Sequence, residues 1–223
     1  MNIKIILSVT ILMFVGDNVA KAQDWPNLSR YQAANQRLKD STVKVVYMGN
    51  SITEAWAQMS PGFFADNKYI NRGISGQTTP QMLLRFRQDV IELKPKIVVL
   101  LCGINDIAGN TGPSTLEMIE GNIMSMAELA KANKIKMILC SVLPANHFKW
   151  KPTLQPADSV IALNKWISAY AHSRHLEYVD FYSQMVDTEK GLKAAYTYDG
   201  VHPTIDGYKI MQPLIKAAIS KLL

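Results

Sequence analysis

Serine, histidine and a carboxylate are the side chains that together make a weak hydroxyl nucleophilic at neutral pH. This chain offers them at two places far apart in sequence. Ser51 follows an apolar run in VKVVYMGNSITEAW, and Asp199 and His202 share the pentapeptide Asp199-Gly200-Val201-His202-Pro203. A tight turn at the pentapeptide keeps the carboxylate beside the imidazole. The chemistry such a set supports is nucleophilic attack on a carbonyl, with the imidazole moving the proton.

The elements that must position these residues alternate between apolar strands and helical stretches. Residues 43–48 read as a first strand ending on a Gly49-Asn50 turn signal, and residues 69–71 as a short second one. A third strand, residues 97–102, is uniformly apolar, as for a strand covered on both faces. Residues 135–142 and 176–181 make the fourth and fifth. Between them lie helices: a lead-in over 25–39, then 79–93, opened by Thr79 as N-cap with Pro80 at the first position. Another starts at the Ser114-Thr115-Leu116-Glu117 capping box and runs to 132, followed by 157–173 and 204–222. This alternation predicts a three-layer α/β/α sandwich around a five-stranded parallel sheet. No repeat or Gly/Ser-rich linker divides it, so residues 23–223 read as a single domain.

Four segments fall just after predicted strands, at the carboxyl edge where open α/β sheets place their sites. They are Gly49-Asn50-Ser51, Asn71-Arg72-Gly73-Ile74-Ser75-Gly76, Gly103-Ile104-Asn105-Asp106 and the DGVHP turn. Each has a bland reading. Ser51 could cap a helix with Glu54 as its box partner. Gly73 and Gly76 could serve tight turns, Asn105 could cap a loop, and His202 could be an exposed turn residue. Their joint placement at one sheet edge is what singles them out.

Outside those blocks the chemistry-bearing residues read differently. His172 and His175 flank a predicted helix C-terminus, where imidazolium suits the dipole. His147 lies in the loop after the fourth strand with Phe148 and Trp150; both aromatics, and Trp56 near the serine, are candidates for a substrate wall or for core packing. Asp106 reads as a loop buttress. Cys102 and Cys140 end strands and read as buried small residues, with a bridge as the alternative open to an exported protein. Arg85 and Arg87, with Asp89 and Glu92 nearby, read as a solvated helix face, which argues against a nucleic-acid patch despite the net charge of +6. No metal-ligand constellation or phosphate-binding glycine loop is visible, and the chemistry needs no cofactor.

The N-terminus has the layout of a secretory signal. Lys4 precedes an apolar run over 5–15, and Val19-Ala20-Lys21-Ala22 offers an A-x-A site with cleavage after Ala22. The run is too short to span a bilayer, so no stable membrane insertion is expected. The expectation is a secreted or periplasmic protein.

The four blocks, in this order and strand context, resemble those of the SGNH hydrolases, also called the GDSL esterase/lipase family. The likeness extends from Lys44 to Tyr208, with Gly49-Asn50-Ser51 in place of Gly-Asp-Ser. It implies a flavodoxin-like sandwich, with Ser51 as nucleophile, His202 as general base and acid, and Asp199 as its orienting carboxylate. It further implies an oxyanion hole from the backbone N–H groups of Ser51 and Gly73 and the side-chain amide of Asn105. The pattern around NRGISGQTTPQMLLRF is most similar to carbohydrate-deacetylating and lysophospholipase-like members. The expected activity is hydrolysis of short acyl esters, acetyl above all, on a small molecule or glycan through an acyl-enzyme. The alternatives are a lysophospholipase or short-chain lipase, or a glycan-binding module without activity.

Overall fold

The computed structural model describes residues 24–38 and 41–223. The proposed export signal, residues 1–22 with its cleavage point after Ala22, lies outside the described residues. Five strands form one sheet: β1 (Val45–Gly49), β2 (Tyr69–Gly73), β3 (Ile97–Leu101), β4 (Lys136–Cys140) and β5 (Glu177–Val179). All neighbouring pairs are parallel, and the order is β2-β1-β3-β4-β5. That is the flavodoxin-like doubly wound arrangement, whose switch point lies between β1 and β3. β1 and β3 are buried throughout, consistent with helices covering both faces.

Chain order fixes where the helices go. α1 (Gln32–Arg37) precedes β1, and α2 (Ser51–Met59) and α3 (Pro61–Asn67) connect β1 to β2. α4 (Thr79–Asp89), the short α5 (Ile104–Ile107) with α6 (Leu116–Ala132), and α7 (Ala157–Arg174) follow β2, β3 and β4. After β5 come a single turn, α8 (Tyr182–Met185), and the closing α9 (Ile205–Leu222). Right-handed crossovers put α2, α3 and α9 on one face and α4, α6 and α7 on the other. Packing agrees: Trp56 of α2 stacks on Tyr208 of α9 at 5.4 Å, and α6 lies between α4 and α7. Among the described residues no helix is long and apolar enough to cross a membrane.

Several boundaries depart from the sequence reading, each for a local reason. The lead-in helix is split into a 3-10 turn over Leu28–Tyr31 and α1, because the Asp24 carboxylate accepts from the N–H groups of Leu28 and Ser29 while Asn27 is left-handed. Thr78, not Thr79, caps α4 and forms a capping box with Gln81; the Thr79 N–H goes to the Asp106 carboxylate instead. The stretch predicted to run to residue 93 breaks after Asp89, and Ile91–Leu93 form a separate 3-10 turn. Thr115 rather than Ser114 caps α6. β5 stops at Val179 because the N–H groups of Phe181 and Tyr182 turn toward Ser141 Oγ. Cys102 and Cys140 are free and fully buried, and burial raises both thiols above their ordinary range.

The largest departure concerns Arg85. Sequence placed it on a solvated face, yet it and Asp89 are both completely buried, paired at 3.0 Å between α4 and the sheet. Four hydrogen bonds compensate the guanidinium: to Asp89 Oδ2, Gln77 Oε1, and the carbonyls of Gly49 and Arg72. Burial holds its pKa below the usual arginine value, and Asp89 opposes that shift. The two carbonyls end β1 and β2, so this one side chain ties together the strand ends that carry the site.

Candidate active site

Ser51 is the first residue of α2, at the carboxyl end of β1. Asn50 caps that helix, its side-chain oxygen accepting from Ile52 N at 3.0 Å, so Ser51 is released from the capping role. Glu54 is likewise no box partner: it pairs with Arg30 and accepts from Ser75 N and Oγ. Burial raises the Glu54 carboxyl, but these partners outweigh it and leave it below the ordinary range. From the opposite side, Tyr208 donates to the Ile52 carbonyl at 2.7 Å, fixing the first turn of α2 against α9. Asn50, where the resembled pattern has aspartate, keeps the capping acceptor; its Nδ2 is buried with no partner among the described residues.

His202 and Asp199 arrive on a turn built around Thr197. Thr197 Oγ1 donates to the His202 carbonyl and accepts from Gly200 N, while Gly200 adopts φ +93°. That positive φ, and the His147 ring lying where a Cβ would stand, make glycine the fitting residue at 200. Asp199 Oδ1 accepts from the backbone N–H groups of Val201 and His202 at 2.9 and 2.8 Å. Its Oδ2 lies 2.6 Å from His202 Nδ1, and His202 Nε2 lies 2.9 Å from Ser51 Oγ. Burial raises the Asp199 carboxyl, but the hydrogen bonds from His202 and Val201 prevail and hold it below its usual value. Sequence brought these three residues together by type, and the fold brings their atoms into one hydrogen-bonded chain.

The donors expected for an oxyanion fare unequally. Asn105, at the start of α5, is buried and spends one amide hydrogen on the Gln77 carbonyl at 2.9 Å, leaving the other uncommitted. The Ser51 N–H has no acceptor among the described residues. Gly73 must be corrected. Its N–H donates to Asn71 Oδ1 at 2.8 Å, and it is a glycine for packing reasons, since a Cβ there would stand 2.2 Å from Glu54 N. The glycine with an uncommitted N–H is Gly76, three residues on, at φ +77° with open space around it. Its loop is held over the site by Ser75 bonded to Glu54 and by Asn110 Nδ2 on the Gly76 carbonyl. Asp106 buttresses this edge by accepting from Thr79 N and Oγ1; its burial raises the carboxyl to about 6.

The aromatic candidates also separate. Trp56 is core, sandwiched between Phe63 and Tyr208 at 5.4 Å each, and offers no face to a substrate. Phe148 is fully buried and serves as the base on which Trp150 stacks at 5.0 Å. Trp150 is half exposed and lies 6.5 Å from the His202 ring. Tyr198, which the sequence reading passed over, is 56% exposed and stacks nearly parallel on His202 at 5.8 Å. Its position next to Asp199 was the signal available. His147, in the loop after β4, bonds its neighbour Asn146 and packs on Gly200; His175 caps the end of α7 in a left-handed conformation. The described residues contain no group of three or more potential metal ligands.

A serine at a strand–helix junction, an imidazole and a carboxylate at the switch point of a flavodoxin-like sheet are matched by a family-wide likeness. Residues 40–210 match the GDSL-like lipase/acylhydrolase family, and the chain belongs to it. A GDSL-like lipase from Bacteroides thetaiotaomicron is 50% identical, superposes with a TM-score of 0.84, and is covered over 99% of its length by 89% of this chain. Esterase TesA of Pseudomonas aeruginosa is 28% identical over 71% of this chain and 74% of its own. An acetylxylan esterase of Xylanibacter ruminicola is 27% identical over 81% of this chain, which spans 44% of that relative. The chain is therefore an esterase of the acylhydrolase type, acting on small-molecule esters.

Proposed function

We propose that this protein is an exported serine esterase that removes short acyl groups, acetyl foremost, from carbohydrates. The observation that carries the reading is the unbroken contact chain from Ser51 Oγ through His202 to Asp199, at 2.9 and 2.6 Å. Ser51 Oγ attacks the ester carbonyl carbon while its proton passes to His202 Nε2. Asp199 keeps the Nδ1–H tautomer and stabilises the imidazolium. Negative charge gathers on the carbonyl oxygen, where the N–H groups of Ser51 and Gly76 and the free hydrogen of Asn105 Nδ2 donate to it. The bond between the acyl carbon and the leaving alcohol's oxygen then breaks, and that oxygen takes the proton from Nε2. Water, activated by the same imidazole, releases the acid from the acyl-enzyme and restores Ser51.

Three features support the finer parts of the reading. Acetylxylan esterases stand among the relatives at low identity. The serine and histidine are part-exposed, with Trp150 as an open aromatic wall beside them, which suits an acyl group borne on a bulky alcohol. The basic start, apolar run and A-x-A site favour export of a single domain over residues 23–223. The test is a p-nitrophenyl ester series with a Ser51→Ala control, followed by acetate release from acetylated xylan. Activity highest at C2 and lost in Ser51→Ala is expected. A preference for C8 or longer overturns the acetyl assignment in favour of a lipase, and an undiminished Ser51→Ala overturns the nucleophile. Export is checked by the N-terminus of the protein made with its leader, expected at Gln23.

A further inference from the structure

The path of the proton decides which side of the ester each neighbour touches. His202 Nε2 must deliver its proton to the oxygen of the departing alcohol, so that oxygen comes to rest against the imidazole. The oxyanion donors, Asn105 and the Gly76 loop, belong to the β2 and β3 ends of the site. What flanks the imidazole therefore meets the alcohol, not the acyl chain. Two exposed aromatic rings do so: Tyr198, nearly parallel to His202 at 5.8 Å, and Trp150 at 6.5 Å.

Tyr198 also forms part of a cleft of about 360 Å³ against the Thr197–Gly200 turn, within the size range of small-ligand sites, about 300–1,000 Å³. Asn146, His147, Lys149, Asp187 and Glu189 line it with Tyr198. Its wall is fixed rather than loose. Asn146 bonds His147 and the Glu189 carbonyl, His147 packs on Gly200, and Asp187 Oδ1 accepts from the N–H groups of Glu189 and Gly191. Lys149 Nζ, Asp187 Oδ2 and the Glu189 carboxylate have no further hydrogen-bond partner among the described residues, apart from a 3.5 Å contact from Lys149 to the Tyr198 carbonyl. Rings of exposed aromatic carbon joined to mixed donors and acceptors fit a ligand with an apolar C–H face and a rim of hydroxyls.

We propose that Trp150, Tyr198 and this cleft form an alcohol-side saccharide site, in which the sugar bearing the ester lies on the two rings and a neighbouring sugar extends past Tyr198 toward Asp187 and Glu189. The proposal rests on the esterase reading above and names where its substrate lies. It predicts that selectivity for the alcohol and selectivity for the acyl chain are set by different residues.

The experiment uses ethyl acetate, whose alcohol is too small to reach the rings, and acetylated xylotriose, with xylotriose itself as an inhibitor. Wild type is expected to be inhibited competitively by xylotriose during ethyl acetate hydrolysis. Trp150→Ala and Tyr198→Ala are each expected to raise the inhibition constant about fivefold to tenfold, in keeping with the worth of one aromatic contact. Both should lower the kcat/KM ratio of acetylated xylotriose over ethyl acetate by a similar factor, while the preference among ethyl acetate, butyrate and hexanoate stays as in wild type. Both positions are exposed, and melting temperatures near wild type verify folding. A ratio and an inhibition constant within twofold of wild type in both variants overturn the proposal, as does absence of inhibition by xylotriose and by cellotriose. If wild type deacetylates saccharides and the variants keep its ratio, the cleft alone fails. If xylotriose binds and loses affinity in the variants but no acetate is released, the cleft stands and the acetyl-carbohydrate function fails.

Discussion

Asp199→Asn isolates the electrostatic half of the site from its architecture. Asp199 uses its two oxygens for separate tasks: Oδ1 accepts from two backbone N–H groups at 2.9 and 2.8 Å, and Oδ2 faces His202 Nδ1 at 2.6 Å. An asparagine can keep its oxygen on the two N–H groups, which holds the turn. Its amide nitrogen then replaces Oδ2 and donates toward Nδ1. The imidazole must respond by carrying its proton on Nε2, where it faces Ser51 Oγ as a donor and can no longer accept the serine proton. In a serine protease the corresponding change lowers kcat about 10⁴-fold, which is about 5–6 kcal/mol of transition-state stabilisation. The same geometry here predicts a loss of that order in kcat for p-nitrophenyl acetate, with KM within about threefold. Stability should change by only about 1 kcal/mol, because the backbone bonds survive. Steady-state kinetics and urea unfolding on one preparation check both. A kcat within tenfold of wild type in a folded variant would refute the orienting role of Asp199. A collapse in stability matching the loss in rate would show that the turn, not the tautomer, was what the carboxylate maintained.

Two further outcomes follow from buried charges. Arg85→Met leaves Asp89 buried without its partner and frees the Gly49 and Arg72 carbonyls; a loss of about 3–5 kcal/mol by urea unfolding is expected, and Arg85→Met with Asp89→Leu should recover much of that stability but not kcat, since the strand ends stay untied. Equal recovery of stability and kcat would deny the positioning role. Asp106 holds its proton more tightly folded, at about 6, than unfolded, at 3.8, so the folded state binds more protons between these values and stability declines as pH rises through that window. The decline amounts to about 3 kcal/mol in all. Asp106→Asn, which retains an acceptor for Thr79 N, should therefore gain on wild type between pH 4 and 7 in unfolding experiments; parallel pH curves for the two proteins would reject this.

The sequence by itself determined the fold class and singled out the residues of the proposed reacting set. Uniformly apolar strands such as residues 97–102 can be stable only between two helical layers, and strict strand–helix alternation permits few parallel topologies. Ser51, Asn105, Asp199 and His202 were legible because each directly follows a strand or shares a short turn, so local chain geometry fixes its place. Three matters were decided only in three dimensions. The commitment of the Gly73 N–H to Asn71 Oδ1, which leaves the proposed donor role to Gly76, depends on a side chain curling back on its own strand. The fates of the aromatics depend on remote partners: Tyr208 from α9 seals Trp56 into the core, while Trp150 and Tyr198 each keep about half of their surface exposed. Arg85 reads as a surface cation by helical periodicity, and becomes a buried tie only because Asp89 and the ends of two strands converge on it. Local pattern reports which chemistry a residue type offers; which of its hydrogen bonds are already used, and which faces stay open, is settled by neighbours distant in the chain.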